Sequence, residues 1–596
     1  MAGTLRTLAK RAWRQVVSDL RADPYLPYVL VLTALLAGFW FWHRTPNFAT
    51  RDESTRLLDP MVAFGTFLSD PGVESLREGV AWGREPFGAT FYLFGLALVP
   101  VVLAAAVRGQ LDAFLAFHLP RAAFGYWAVW HATPAWIWTW SIALVRLINV
   151  AFAVGSVYLT YRIGVQVRDR TAGRLGALFL ALTFGFLTLA HEGGEDVPAL
   201  FFLLLSITLL IAYVRTGEAA PFLAASAFGG VAIAFKLTAA PIVAVVGAAF
   251  LLRAHRLGPA WRSALDRPWL LLGGAWLGLL ALVLGFPTLL VGEVGIVLER
   301  VFLASVARSE HATGPDAPVW WWFARQYFDA FGLPLFLATL AGLAATVARV
   351  RDRARDVHAT VLVLVSLGLF VAVFSRWHDF RVHHLLPTFP LLVVLLGAAL
   401  SSLRERRAGL AGVVVALLVV SAGAYAVVGT AGYATAPRDG AVAWLDANAD
   451  PGDTLEVYRV HMQDAAVPHW MTVAHRWNRD EVVGATCPRY VELGYRDLLY
   501  LDPNTYYRND PAVAAYVRGL LSGQDGYRIV AEFGPRPPNF VPDRPRPGSL
   551  ADLVRVGIYP ETDQYADEQE LRENQYTVIL ERTGECDPSR VPRIER

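Results

Sequence analysis

The sequence predicts a polytopic α-helical membrane protein that ends in a small α/β domain outside the bilayer. Three observations carry that expectation. Hydrophobic residues make up 55% of the 596 positions and charged residues only 17%, where a soluble chain carries about 25% charged. Apolar runs of bilayer length, roughly 17–25 residues, recur from Tyr25 to about residue 430. The charge balance then inverts: residues 1–434 hold 35 bases and 25 acids, and residues 435–596 hold 18 and 26. No basic block is interleaved with aromatics, so nothing points to nucleic acid.

Residues 1–24 open with MAGTLRTLAKRAWRQ, which is basic and amphipathic. The apolar run 25–43 is too long for a signal-peptide core and lacks a small-residue cleavage site, so it reads as a retained first span with a cytoplasmic N-terminus. Residues 44–89 read as a large first external loop. In it, LDPMVAFGTFLSD and GVESLREGVAW repeat apolar residues at helical spacing, the pattern of short helices lying on a membrane.

Further spans are expected at 90–107, 138–160, 174–190, 197–214, 269–290, 331–348, 358–374, 382–400 and 409–430. The run 221–253 is too long for one span and divides at Lys236 and Pro241. The stretch 111–136, with His118, Pro120 and Arg121, is weaker and reads as a short span or an interfacial helix. If it crosses, the domain 25–434 has about 13 transmembrane helices. Arginine-rich loops at 161–174, 253–267, 349–356 and 403–409 place that end in the cytoplasm. The loops 45–89, 191–196, 291–330 and 375–381, the turn at Lys236 and the C-terminal domain are then extracytoplasmic. In PVWWWFARQYF the three tryptophans suit an interfacial belt, an entry for an isoprenoid tail, or a platform for a sugar.

Residues 435–596 read as a small α/β domain. PRDGAVAWLDANADPGDTLEVYRV has the order helix, turn, strand, and YRIVAEFG (527–534) and YTVILERT (576–583) are strands. PRPPNFVPDRPRPG between them is irregular. No phosphate loop, zinc spacing or nucleophile elbow occurs there. Cys487 and Cys586, the two cysteines, can pair if the domain is external.

Ionisable groups gather at span ends on one face, where they are expensive and usually functional. They are Arg51-Asp52-Glu53, HEGGED (His191 to Asp196), Lys236, and SRWHDFRVHH (Ser375 to His384). Lys236 is one of two lysines in the chain, with Lys10, which suggests a need for a compact point charge. It also reads as a snorkelling side chain, Arg381 as a headgroup anchor, and His383 and His384 as local caps. HEGGED lacks the second histidine of a zinc-protease helix, and Gly193-Gly194 weakens helix there. A divalent ion (Mg or Mn) on Asp52, Glu192, Glu195 and a histidine stays open.

With these residues in view, the chain resembles the GT-C membrane glycosyltransferases that use polyprenyl-phosphate sugars. The subgroup is the one containing protein O-mannosyltransferases and lipid A aminoarabinose transferases, in archaeal-looking form. The resemblance covers most of 25–400. It rests on Asp52-Glu53, on LVRLINVAFAVGSVYLTYRIGVQVRDRTAGRLGALFLALTFGFLTLAHEGGEDVPALFFLLLSITLL, on GVAIAFKLTAAP and on RVHHLLPTFPLLVVLLGAAL. HEGGED is richer in acids than the family's usual single acid, and the pair His383-His384 also departs from the pattern.

The resemblance implies an inverting transferase of the cell membrane. It would move a monosaccharide, a mannose-like hexose, from a polyprenyl (dolichyl) phosphate to a hydroxyl on a glycoprotein or a lipid-linked glycan outside the cytoplasm. Asp52 is then the expected catalytic base, and Glu53 orients it or the acceptor. Lys236, Arg381, His383 and His384 are expected to meet the donor phosphate. His191, Glu192, Glu195 and Asp196 are expected to touch substrate or an ion. No cofactor is required, because a monophosphate leaves with less charge than a diphosphate. The alternatives are an oligosaccharyltransferase-like enzyme and a lipid-linked-sugar transporter.

Overall fold

The computed structural model describes residues 2–82, 88–121, 124–257, 262, 267–299, 318–351, 357–375, 381–434, 437–458, 462–474, 487–503, 510–542, 548–561 and 576–585. Arg376 to Phe380 of the late cluster, part of the loop 291–330, the basic residues 352–356, and Cys586 lie outside them.

Helix α1 (Ala2–Ala22) meets α2 (Leu26–Ala37) at 107°. Two ion pairs fix this corner. Asp19 binds Arg162, and the fully buried Asp23 binds Arg174 at 2.6 Å and the Tyr161 hydroxyl. The first loop then forms α3 (Arg51–Ser69) and α4 (Val73–Ala81), followed by α5 (Gly88–Val107) and short turns up to α6 (Trp127–Ala132). The long helix α7 (Ala135–Val167) leads to the bent pair α8 (Arg170–Ala181) and α9 (Phe184–Ala190), then α10 (Asp196–Thr216), α11 (Ala219–Phe235) and α12 (Ile242–Arg256). After these come α13 (Pro268–Gly285), α14 (Val319–Phe331), α15 (Leu333–Arg351), α16 (His358–Phe374), α17 (Phe389–Arg406) and α18 (Ala408–Ala434).

Among the described residues, eight helices are long and apolar enough to cross a membrane, or up to ten if each bent pair is one span. The helices α11 and α16 are shorter apolar ones. Most of the expected runs are therefore present as helices. The stretch 111–136 is not a span: it breaks into a 3-10 helix at Leu111–Phe117, turns, and α6. The run expected at 90–107 is α5, one of those eight helices. A Cβ on its first residue, Gly88, would lie 2.0 Å from the Gly285 carbonyl at the end of α13. Its last turn delivers Arg108 onto the Trp136 ring, 4.4 Å away, at the start of α7. Gly285 and Trp136 both belong to the end that holds Lys236 and Glu53. Its apolar residues Phe94, Leu98 and Val101 pack on Leu57, Leu58 and Met61 of α3. Its other face is exposed, with Leu96, Leu103 and Val107 open to the surroundings.

That domain starts with α19 (Pro437–Asn448) and builds a five-stranded sheet in the order β2-β1-β3-β5-β4. The strands are β1 (Thr454–Glu456), β2 (Thr472–Ala474), β3 (Tyr490–Gly494), β4 (Tyr527–Phe533) and β5 (Thr577–Arg582). β1 pairs parallel with β2 and β3, and β5 lies antiparallel between β3 and β4. Buried residues alternate too little for a one-sided sheet: β3 is buried throughout, covered on both faces. Cys487, just before β3, is disulfide-bonded.

The domain is docked on the bundle. Trp321 donates to the Ser549 carbonyl at 2.9 Å, and Arg325 pairs with Asp552 and Glu561. Tyr425 of α18 donates to the carbonyls of Asp329 and Val556. Of the three tryptophans in α14, Trp321 and Trp322 are thus core residues, and only Trp320 is exposed.

Candidate functional site

The site forms where α3 begins, and Thr50 starts it. Its backbone is extended and its hydroxyl accepts the Glu53 N–H at 3.1 Å, an N-cap that satisfies one of the helix's free donors. This puts Asp52 and Glu53 in the first turn, where the helix dipole favours acids.

The two acids then part. Glu53 is fully buried and saturated. Arg146 of α7, equally buried, grips it with Nε at 2.7 Å and Nη2 at 2.8 Å. The amides of Ala49 and Gly193 donate to it at 2.8 Å each. Arg146 spends Nη1 on the carbonyls of Phe41 and His43. The Glu53 carboxylate is therefore engaged on both oxygens within the protein. Asp52 is half-buried, and among the described residues no hydrogen bond or ion pair holds its carboxylate.

The loop 191–196 lies against this lock. Asn149 donates to the carbonyls of Glu192 (2.6 Å) and Gly194 (3.2 Å). A Cβ at Gly193 would sit 2.6 Å from the Val145 side chain, so only glycine lets the loop approach α7 this closely. His191 is turned inward, with its ring nitrogens facing the Leu187 and Phe39 carbonyls at 2.8 and 3.0 Å. Burial takes its pKa down to about 4, so it stays neutral.

Glu195 is forked by Arg56 at 3.0 and 3.2 Å. Asp196 is 2.5 Å from the Lys236 ammonium, which also stands 3.6 Å from Glu195. Lys236 reaches them because α11 ends at Phe235 and the next residue is extended, turning its side chain inward. Burial pushes the Glu195 carboxyl up, but the charges of Arg56 and Lys236 outweigh it and hold the group at about 2. Among the described residues no cation pairs with Glu192. Burial, joined by the charges of Asp52, Asp196 and Glu53, raises it well above its ordinary value, and a Thr50 hydrogen bond offsets only part of that.

Asp52 acts electrostatically on Glu192, Asp196 and Lys236 alike. The structure thus brings Asp52, Glu192, Glu195, Asp196 and Lys236 into one charge cluster with Arg56. His383 and His384 face each other through Nε2 at 3.0 Å, and the Arg381 N–H donates to His384 Nδ1. Val382 packs on Gly185 in α9, which leads to His191.

A divalent ion on Asp52, Glu192, Glu195 and a histidine does not fit this arrangement. Glu195 is forked by Arg56, and His191 faces backbone carbonyls. Among the described residues no three His, Cys, Asp or Glu side chains converge as a metal site.

Four contributors were missed from sequence. Arg146 and Asn149 hold the loop, Thr50 caps α3, and Tyr433 at the end of α18 packs on His43 and His191. The Tyr433 ring lies 5.6 Å from that of His43 and 6.0 Å from that of His191, beneath the Arg44 guanidinium. An arginine in the middle of the run 138–160 was a usable signal, because a charge at such a depth needs a partner. A tyrosine at a span end gave none.

Residues 133–287, which include α7 to α13, match the family model described as dolichyl-phosphate-mannose-protein mannosyltransferase. The match bears out the sequence resemblance over that part of the chain. No curated protein sequence matches. Among solved structures, the chain is similar to ArnT from Cupriavidus metallidurans bound to undecaprenyl phosphate, at 13% identity and a TM-score of 0.48, over 80% of this chain and 95% of that one. It is also similar to the oligosaccharyltransferase AglB from Archaeoglobus fulgidus in complex with an inhibitory peptide and a dolichol-phosphate. There the identity is 12% and the TM-score 0.45, over 94% and 89% of the two chains.

Proposed function

We propose that the chain is an integral-membrane glycosyltransferase that moves one monosaccharide, a mannose-like hexose, from a polyprenyl phosphate to an acceptor hydroxyl on a protein or glycan. The observation that carries this is the Asp52 carboxylate, without an ion-pair or hydrogen-bond partner among the described residues, beside the ion-paired cluster of Lys236, Glu195 and Asp196. The family match over 133–287 supports the donor class.

In the reaction, Asp52 takes the proton of the acceptor hydroxyl as its oxygen attacks the anomeric carbon. The bond from that carbon to the phosphate oxygen breaks on the opposite face. The electron pair leaves with the lipid phosphate, so the sugar inverts. The phosphate gains charge as it departs, and Lys236 and Arg56 stand nearby as fixed cations. Glu195 and Asp196 hold both cations in place beforehand, which removes the cost of organising them during the reaction. Arg381, His383 and His384 fit a second phosphate contact reached through α9. Glu192, its carboxyl pKa raised by burial, belongs to the same cluster and can hydrogen-bond a sugar hydroxyl.

The site end of the bundle is assigned to the extracytoplasmic side. The opposite end carries the arginine-rich loops, and the disulfide at Cys487 suits an oxidising compartment. Ionisable groups at one end rather than at mid-bundle favour an enzyme over a transporter. The test is to offer the purified chain a panel of radiolabelled polyprenyl-phosphate sugars and one diphosphate-linked oligosaccharide. Release of polyprenyl phosphate from a single monosaccharide donor supports the reading. Turnover of the oligosaccharide donor alone replaces it with the oligosaccharyltransferase one.

A further inference from the structure

We propose that the helix Leu550–Ile558 of the C-terminal domain is seated in the membrane surface at the site end of the bundle, with Leu550, Val554 and Ile558 sunk into the leaflet. This needs only the membrane-spanning bundle, not the transferase activity.

The helix is inside out. Its charges face the protein: Asp552 is buried and pairs with Arg325 of α14 and with Arg555, and Arg555 also reaches Glu561. Leu553 joins the core with Trp321, Trp322 and Phe331, and Val556 is fully buried. The face turned outward is apolar throughout. Leu550, Ala551, Val554 and Ile558 are its exposed residues, and the helical turn gathers them within one arc of about 100°. Leu550 is 69% exposed and Ile558 55%. A helix on a water-facing surface carries polar residues on such a face. Three large aliphatic side chains in one row forgo the free energy that leaving water returns.

Where the helix lies indicates what covers them. Its start rests on the start of α14, where Trp321 donates to the Ser549 carbonyl at 2.9 Å. Its end rests on the head of α15: a Cβ on Gly557 would lie 2.9 Å from the Leu333 Cβ. α15 is long and apolar enough to cross a membrane, and its first outward residues, Pro334, Leu337 and Leu340, are exposed and apolar. The stripe therefore adjoins the lipid-facing surface of the bundle at the level where α15 enters the bilayer. An exposed aromatic stands at each end of it: Trp320, next to the tryptophan that binds Ser549, and Tyr559, directly after Ile558. Tryptophan and tyrosine settle at headgroup level. An apolar outward face with aromatic flanks, continuous with a spanning helix, fits seating in the interface. It ties the C-terminal domain, and α14 with it, to the bilayer at a fixed height.

The experiment places an environment-sensitive dye on Val554→Cys in the full chain, reconstituted in phosphatidylcholine nanodiscs. Ala515→Cys, on the helix Pro511–Ser522 that packs on β4, is the control. Both positions are exposed, so neither label disturbs the core. A lipid nitroxide near the top of the acyl chain should remove about half or more of the Val554→Cys emission, because an interfacial helix sits about 5–10 Å into the headgroup boundary. It should leave the Ala515→Cys emission unchanged. Equal emission from the Val554→Cys dye with and without the nitroxide overturns the proposal. So does a blue-shifted dye that the nitroxide does not reach, which would assign the stripe to another protein surface.

Discussion

Glu53 and Arg146 form a bidentate pair 2.7 Å apart, with neither side chain exposed to solvent. The pair joins the first loop to α7, and through the Gly193 amide it fixes the acidic loop as well. A buried pair of this kind is a poor source of net stability, but losing one partner leaves a charge stranded. Glu53→Gln or Arg146→Gln should each lower unfolding free energy by about 3–5 kcal/mol. The double substitution should cost less than the sum, since the two groups share one interaction. Thermal unfolding of the four proteins in detergent measures this, and strict additivity would refute the lock.

Glu192 gives a pH signature. Its folded pKa is raised above the ordinary 4.5, so the folded chain holds this proton more tightly than the unfolded one. The stability it lends is complete below about pH 4.5 and is lost as pH rises toward the folded value. Between pH 5 and 8 the wild type should therefore lose more of its melting temperature than E192Q, which has no proton to lose. Parallel curves for the two would show that Glu192 ionises freely.

Lys236 should act on the donor. Lys236→Gln removes a cation of the cluster beside Asp52 and leaves Glu195 and Asp196 with Arg56 alone. The expected result is a rise in donor KM of about ten-fold or more with a smaller change in acceptor KM, one charged contact being worth about 1.5–3 kcal/mol. Lys236→Arg should restore little, because a planar fork does not replace a point charge held 2.5 Å from Asp196. Equal losses for donor and acceptor would argue for a structural role only.

The path of α5 is open to labelling. Val107, 89% exposed at the end of α5, and Thr216 at the end of α10 should lie on opposite sides of the membrane. In sealed vesicles, Val107→Cys and Thr216→Cys should react with an impermeant maleimide from opposite faces. Reaction from the same face would contradict the contact of Arg108 with Trp136.

Much of this was legible in the sequence, for reasons that differ by element. The strands read at 527–534 and 576–583 appear as Tyr527–Phe533 and Thr577–Arg582, because alternation and β-branched residues coincide there. The short strands at 454 and 472 pair in parallel and bury themselves by tertiary contact, and the second of them carries too few residues to show a period. Asp52, Lys236 and the loop 191–196 stood out because charge is rare beside apolar runs. The division of labour between Asp52 and Glu53 did not. Adjacent residues on a helix point about 100° apart, and which of them meets Arg146 depends on how α3 is rotated against α7.

Asp52 carries the central claim, and one substitution addresses it most directly. With purified chain, a labelled polyprenyl-phosphate sugar and its acceptor, Asp52→Asn should slow transfer by about 10²–10⁴-fold, the usual contribution of a positioned base. Donor binding, followed in the same samples by tryptophan fluorescence, should be unchanged. Transfer at the wild-type rate by the Asn variant would contradict the account.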